Sequence, residues 1–207
     1  MHLTGIEFRT ADLMTHSYPK IWFLRHGQTE WNREFRLQGQ LDSPLTEQGR
    51  AEAARQALIV PEILAQQPAV FASPLGRVRQ TAQIALGDTP RQEDARLMEI
   101  HAGKWQGMTR TEILANRPEW AAQSPTPLEI YEAADGGEGM AAFHARIVDF
   151  LCDLTGPSVI VAHGLLGQVL RAEVCGLATA QAGSLSNLQG CVYVLENGQE
   201  TVLEAPE

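Results

Sequence analysis

WFLRHGQTEWN, residues 22–32, is the stretch on which the reading of this chain turns. With Ile21 it opens on an apolar run, Ile21-Trp22-Phe23-Leu24, of the length and composition of a buried strand, set off by the breaker Pro19. The run stops at Arg25-His26-Gly27. In open α/β sheets ligands bind outside the carboxyl ends of the strands, which is where this triplet falls. Arg25 offers a planar fork of donors to a phosphate or carboxylate, and a neutral His26 can act as base or nucleophile. Gly27 permits close approach of a ligand or of another backbone. A strand-end histidine is more often just a hydrogen-bonded structural residue, so the triplet alone does not decide between the two.

Working outward, 207 residues fit one domain at about 150 residues each and can bury a substantial core. A hydrophobic content of 44% with 20% charged residues is ordinary for a soluble globular protein. The net charge of -9 argues against a nucleic-acid or anionic-membrane partner, both of which reward basic surface. An anionic ligand must then be held by a few local arginines, since Lys20 and Lys104 are the only lysines. Cys152, Cys175 and Cys191 lack CxxC spacing and stand among apolar residues, which predicts small core side chains in a reducing compartment. No apolar segment approaches a membrane span, and the start, MHLTGIEFRTADLM, has no signal-peptide core, so a cytoplasmic location is expected.

Along the chain, residues 1–18 are assigned to an N-terminal extension of unassigned role, with Met14 as an alternative start, and 19–207 to a single domain. Thr46 reads as the N-cap of a helix through AEAARQALIVPEIL, in which Pro61 predicts a kink or break. Ala69-Val70-Phe71-Ala72 is a short strand, and Pro74 suits the start of a helix running to Leu86. Arg77 lies on its first turn, while Arg79 reads as a solvated helix charge. A weak strand follows around Arg91 to Asp94, and a short helix at Thr109 to Asn116. The segment 108–137, rich in proline and glycine, is the least regular part and the expected lid or specificity insert. Met140 to Leu154 is an amphipathic helix with Phe143, Ile147, Phe150 and Leu151 on one face. Ser158-Val159-Ile160-Val161-Ala162 is the clearest strand, running into His163-Gly164 and a helix from Leu165 to Val174. A β-hairpin closes the chain around Asn197-Gly198. The alternation predicts a three-layer α/β/α sandwich with a mixed, mostly parallel central sheet.

The string Arg25-His26-Gly27-Gln28-Thr29-Glu30-Trp31-Asn32 resembles the signature of the histidine phosphatase superfamily, the phosphoglycerate mutase-like proteins: RHG continuing into [QE]-T-x-x-N. The family pattern S-x-L-x-R-[AS]-x-x-T-A is matched by Ser73, Leu75, Arg77, Thr81 and Ala82, with Val78 a departure. Residues Leu97 to Gly107 resemble L-x-E-x-x-x-G-x-W-E-G, with Gln106 where glutamate is usual. The resemblance implies a phosphoglycerate mutase-like fold and phosphoryl transfer to His26, with Glu99 as proton donor; should the proton come from elsewhere, His101 is the next candidate. It also implies a phosphate site of Arg25, Arg77 and His163, with Asn32 and the backbone of Gly164 as secondary contacts. Two guanidinium forks and a second imidazole match a doubly charged phosphoryl group. One ring nitrogen of His26 should donate to a backbone carbonyl and so set the tautomer of the other. No cofactor and no metal is expected.

Other phosphatase chemistries lack their residues. The positions at which a cysteine phosphatase would need arginine hold Ser158, Gln181 and Asn197, and there is no Asp-x-Asp nucleophile, P-loop or G-x-S-x-G. A mutase would need a second anion site, whereas the insert carries only Arg110 and Arg117 against Glu112, Glu119, Glu129, Glu132 and Asp135. Hydrolysis of a small phosphorylated metabolite with a neutral or apolar far end is therefore expected, with Trp120, Ile130 and Tyr131 as wall residues. The alternatives are mutase-type transfer and a non-catalytic phosphate-binding or scaffold protein, which would be expected to lose His26 or Glu99.

Overall fold

A computed structural model describes residues 18–120 and 123–205. The N-terminal extension, apart from Tyr18, and the start at Met14 lie outside the described residues. Six strands form one mixed sheet: β1 (Ile21–Arg25), β2 (Ala69–Ala72), β3 (Gln92–Glu93), β4 (Ser158–Ala162), β5 (Val192–Glu196) and β6 (Gln199–Leu203). Their spatial order is β3-β2-β4-β1-β5-β6. β4 pairs in parallel with both β1 and β2 and is buried along its whole length, as its unbroken apolar run requires. β5 pairs antiparallel with β1 and β6 antiparallel with β5, the two joined by a turn in which Asn197 and Gly198 have φ of 54° and 72°. Those left-handed values are what the Asn-Gly pair supplies in a two-residue hairpin.

Alternation along β1 divides the core. Trp22 and Leu24 pack with α2 (Glu47–Leu64, after a first short helix α1, Glu30–Arg33) and α3 (Gly76–Leu86). Ile21 and Phe23 face the opposite layer, where α6 (Gly139–Cys152) and α7 (Gly164–Val174) lie. α4 (Arg110–Ala115) and α5 (Pro127–Glu132) precede α6 in the chain, with α5 packed against α6, and α8 (Thr179–Ala182) follows α7. The helix leaving β1 and the helix leaving β4 thus go to opposite faces, which opens a crevice at the carboxyl ends of these adjacent parallel strands.

Four local expectations change. α2 runs unbroken past Pro61 to Leu64, because the exposed proline sits in the last turn and buried Val60 and Ile63 pin the helix on either side of it. α3 begins at Gly76 rather than at Pro74, since its first free N–H groups are capped from a distant loop: Asp42 accepts from Gly76 N at 2.7 Å and Arg77 N at 3.2 Å. Segment 108–137 is more regular than its composition implies, as Thr109/Glu112 and Thr126/Glu129 form capping boxes that start α4 and α5. Of the cysteines only Cys191 is buried; Cys152, at the end of α6, is exposed and Cys175 half-buried. Arg79, by contrast, is the exposed helix charge expected, paired with Glu93. No helix among the described residues is long and apolar enough to cross a membrane.

The loop after β1 is pinned by a backbone crossing. A Cβ on Gly27 would lie 2.1 Å from Gly49 O, and one on Gly49 would lie 2.0 Å from Gln28 O. Gly27 therefore serves the approach of another backbone, that of α2. Helix propensity alone would make Gly49→Ala stabilising by roughly 0.5–1 kcal/mol. The overlap with backbone should reverse the sign, to a net loss of about 1–3 kcal/mol in urea denaturation. A raised unfolding midpoint would show that the crossing relaxes freely.

Candidate active site

His26 follows the last residue of β1, where its N–H donates to Ala162 O at 3.0 Å. Its ring Nδ1 lies 2.7 Å from Gly27 O, and a carbonyl only accepts, so Nδ1 carries the proton and Nε2 the lone pair. The loop is held on every side: Gly27 N–H donates to Thr81 Oγ1 at 3.1 Å, and Gln189 Nε2 donates to His26 O at 2.8 Å. Burial first, and then the charges of Arg77 and Arg25, push the His26 pKa well below the ordinary histidine value. The imidazole is accordingly neutral at neutral pH, with a fixed tautomer and an available nucleophilic nitrogen.

Arg77, in the first turn of α3, is fully buried and donates through Nε to His26 Nε2 at 3.3 Å. Three of its four remaining N–H groups go to Leu41 O at 2.7 Å, Asp42 Oδ1 at 2.9 Å and Gly39 O at 2.8 Å. Arg25 donates through Nη1 to Asn187 O, while its Nε is buried with no partner among the described residues. Arg25 ends β1 and Arg77 opens α3 after β2, and the structure brings both guanidinium groups to the cavity that His26 lines. His163, the N-cap of α7, lies behind them: its ring centroid is 5.4 Å from that of His26, the planes 65° apart. It is fully buried and does not line the cavity described below.

Glu99 reaches the same point from the loop after β3. Its carboxylate accepts from Ile100 N and Leu166 N at Oε1, each at 3.0 Å, and from Leu165 N at Oε2, also at 3.0 Å. Two of these donors are first-turn amides of α7, so the acid is locked against a helix N-terminus. Asn32 closes a capping box with Thr29, which accounts for the T-x-x-N spacing, and its Oδ1 accepts from Thr29 N at 3.1 Å. The Asn32 side chain also lines the cavity. Gly164, first residue of α7, lines it as well, and no described residue accepts from its N–H.

The cavity above this floor has a volume of about 460 Å³ and is lined by Arg25, His26, Asn32, Arg77, Glu99 and Gly164 below. Its upper wall is Leu37, Pro127, Tyr131, Leu165 and Leu185 with the amides Gln38, Gln168 and Asn187. Of the expected wall residues, then, only Tyr131 is present. On α5 the i, i+4 pair Pro127 and Tyr131 shares the cavity face, whereas Ile130 turns into the core at 2% exposure. Trp120 stacks edge-on against Trp105, 5.8 Å between centroids, with Arg117 over both rings. His101 does not line the cavity either; its Nδ1 accepts from Gly103 N at 3.1 Å. Sequence reasoning missed Asp42, which orients Arg77, and the polar wall of Gln38, Gln168 and Asn187. The only signal for Asp42 was its place in the loop before Thr46, and for the amides there was none.

Residues 21–204 match the description of the histidine phosphatase superfamily (branch 1). A glucosyl-3-phosphoglycerate phosphatase of Mycolicibacterium vanbaalenii is 38% identical over 175 residues, covering 76% of this chain and 75% of that one. A 2,3-bisphosphoglycerate-dependent phosphoglycerate mutase of Bifidobacterium longum is 44% identical over 99 residues, which are 45% of this chain and 40% of the mutase. Among solved structures, TTHB049 of Thermus thermophilus has a TM-score of 0.69 at 28% identity, covering 91% of this chain and 99% of its own.

Proposed function

The chain belongs to the histidine phosphatase superfamily (branch 1), and from that premise we propose that it hydrolyses a small phosphomonoester through a phosphohistidine on His26. The observation that carries this reading is the His26 ring, whose Nδ1–H is fixed on Gly27 O at 2.7 Å and whose Nε2 lone pair lies at the floor of the cavity beside Arg77. Arg77 Nε meets that lone pair and turns to the phosphoryl oxygens when substrate enters. Nε2 then attacks phosphorus in line as the ester P–O bond breaks, and Glu99 protonates the departing alkoxide. Water next attacks the phosphohistidine, Glu99 takes its proton, and the pair of electrons in the P–N bond returns to Nε2. Arg25, Arg77, Asn32 and the Gly164 N–H, all in the cavity lining, stabilise the charge in flight, and His163 meets the phosphoryl group as the side chains in front of it draw aside. These groups supply the positive charge that phosphoryl transfer needs, so the reaction is inferred to proceed without metal.

Hydrolysis is favoured over mutase-type transfer by the upper wall. Its one further cation, Arg36, is committed to Glu34 at 2.6 Å and to Gly107 O at 2.9 Å, which leaves amides and apolar surface for the far end of the substrate. A leaving group that is largely neutral fits these better than the carboxylate of free phosphoglycerate. The glucosyl-3-phosphoglycerate phosphatase likeness supports a bulkier, sugar-bearing ester, although that relative's substrate keeps a glycerate carboxylate and so bears on the size of the far end and not on its charge.

The test is a panel of phosphomonoesters assayed with chelator present, followed by quenched trapping of the labelled protein. Hydrolysis should be undiminished by chelator, and mild acid should destroy the adduct, since a phosphoramidate is acid-labile. An acid-stable adduct cleaved by hydroxylamine would identify an acyl phosphate and remove His26 as nucleophile. Phosphate binding with no turnover of any ester would favour the non-catalytic alternative.

A further inference from the structure

Ser73 matches the family pattern, yet nothing in the reaction as proposed uses it. It stands one residue past β2, fully buried, its backbone N–H fixed on Val161 O at 3.0 Å. Its hydroxyl lies 2.7 Å from His163 Nε2 and accepts from Leu75 N–H at 3.4 Å. The His163 ring is also fully buried, and its Nδ1 has no partner among the described residues. Four buried side-chain polar atoms are in that position among the described residues, and two of them, Arg25 Nε and His163 Nδ1, belong to this one site. Burial and the charge of Arg77, followed by His26, Arg146 and Arg25, hold the His163 pKa well below the ordinary value, so its ring has a single proton to place.

Hydrogen-bond accounting decides where that proton sits. The Ser73 oxygen already accepts from Leu75, and its own proton has one described acceptor within reach, His163 Nε2. If Nε2 carried the ring proton instead, the hydroxyl proton would be stranded in the interior and a bare Nδ1 lone pair would be left for an anion to meet. Buried donors are rarely left unpaired. We propose that Ser73 is a positioning residue: its hydroxyl donates to Nε2 and so places the ring proton of His163 on Nδ1, which makes that nitrogen a donor to the bound phosphoryl group. The inference rests on the phosphate site described above, and it gives the second imidazole a role that differs from that of His26. His26 is held as Nδ1–H by a carbonyl so that Nε2 can attack; His163 is held as Nδ1–H by a hydroxyl so that Nδ1 can donate.

The experiment is ¹⁵N NMR of the histidine rings in the full chain, with inorganic phosphate as the probe ligand. In the wild type, His163 should show a protonated Nδ1 and an unprotonated, hydrogen-bonded Nε2, with the Nδ1–H signal shifting when phosphate is added. Ser73→Ala should let the ring proton redistribute to Nε2 and weaken competitive inhibition by phosphate on the order of tenfold, the scale of one lost hydrogen bond to a charged group. Ser73→Thr, which keeps the hydroxyl, should restore both. A wild-type ring protonated on Nε2 overturns the proposal, and that measurement holds even if Ser73→Ala does not fold. An unchanged tautomer in a folded Ser73→Ala overturns it too, leaving Ser73 a packing residue that moves only the melting temperature. Failure of the phosphatase reading is distinguishable, because the wild type would then neither turn over esters nor bind phosphate competitively.

Discussion

His26→Ala is expected to lower phosphoryl transfer by about 10⁴-fold or more for every phosphomonoester, whatever its leaving group. As the proposed nucleophile, His26 would take part in both half-reactions, so neither a good leaving group nor a high substrate concentration should compensate for its loss. The fold should survive. The backbone of the loop is held independently of the ring, by His26 N on Ala162 O, Gly27 N on Thr81 and Gln189 on His26 O. Removing the ring takes away the partner of the Arg77 Nε–H, yet that donor can turn to phosphate. The variant should therefore still bind orthophosphate while incorporating no phosphoryl group. kcat/KM for p-nitrophenyl phosphate and for a sugar phosphate, together with circular dichroism, checks this. Retention of a tenth of the activity on either ester would show that another group attacks, and His163, 5.4 Å away between ring centroids, would be the next nucleophile to test.

Glu99→Gln should produce a loss that depends on the leaving group. A sugar alkoxide must be protonated as it departs and a nitrophenolate need not be, so the first step should fall by about 10²–10⁴-fold for the sugar phosphate and far less for the nitrophenyl ester. Phosphohistidine should then accumulate, because the proposed mechanism uses the same carboxylate to activate water in the second step. The structure adds a complication that can be measured separately. Glu99 accepts three backbone N–H groups, two at Oε1 and one at Oε2, and whichever way the glutamine amide is turned, one end presents a donor to a donor. A stability cost of about 1–3 kcal/mol is expected alongside the kinetic effect. Thermal melts report the first and rapid-quench measurement of enzyme phosphorylation with both esters reports the second. Equal first-step losses for the two esters would reduce Glu99 to an anchor for the start of α7, with the proton supplied by another group.

Short-range features were legible because they are encoded within a few neighbouring residues. The apolar run at 21–24 and the buried run at 158–162 are strands by length and composition, and both strands end where a charged or imidazole side chain follows. Thr46 caps α2 through an amide three residues on, and Asn197-Gly198 turns a hairpin with its own φ values. The tautomer of His26 was likewise legible in outline, since a histidine followed by a backbone loop has a carbonyl within reach.

What the tertiary structure decided concerns partners far apart in sequence and the direction in which a helix faces. Asp42 caps α3 and orients Arg77 across 35 residues, Ser73 meets His163 across 90, and Leu166 donates to Glu99 across 67. Nothing within one turn of either partner distinguishes such a residue from a solvated loop side chain. The wall of the cavity was misjudged for a related reason: Ile130 and Tyr131 are adjacent in sequence, and a rotation of about 100° per residue sends one to the core and the other to the ligand face. By itself, then, the sequence determined the elements, the strand ends and the chemical groups delivered there. Packing of layers joined by long connections determined which of those groups touch, because that contact depends on the relative placement of whole elements and on no local hydrogen bond.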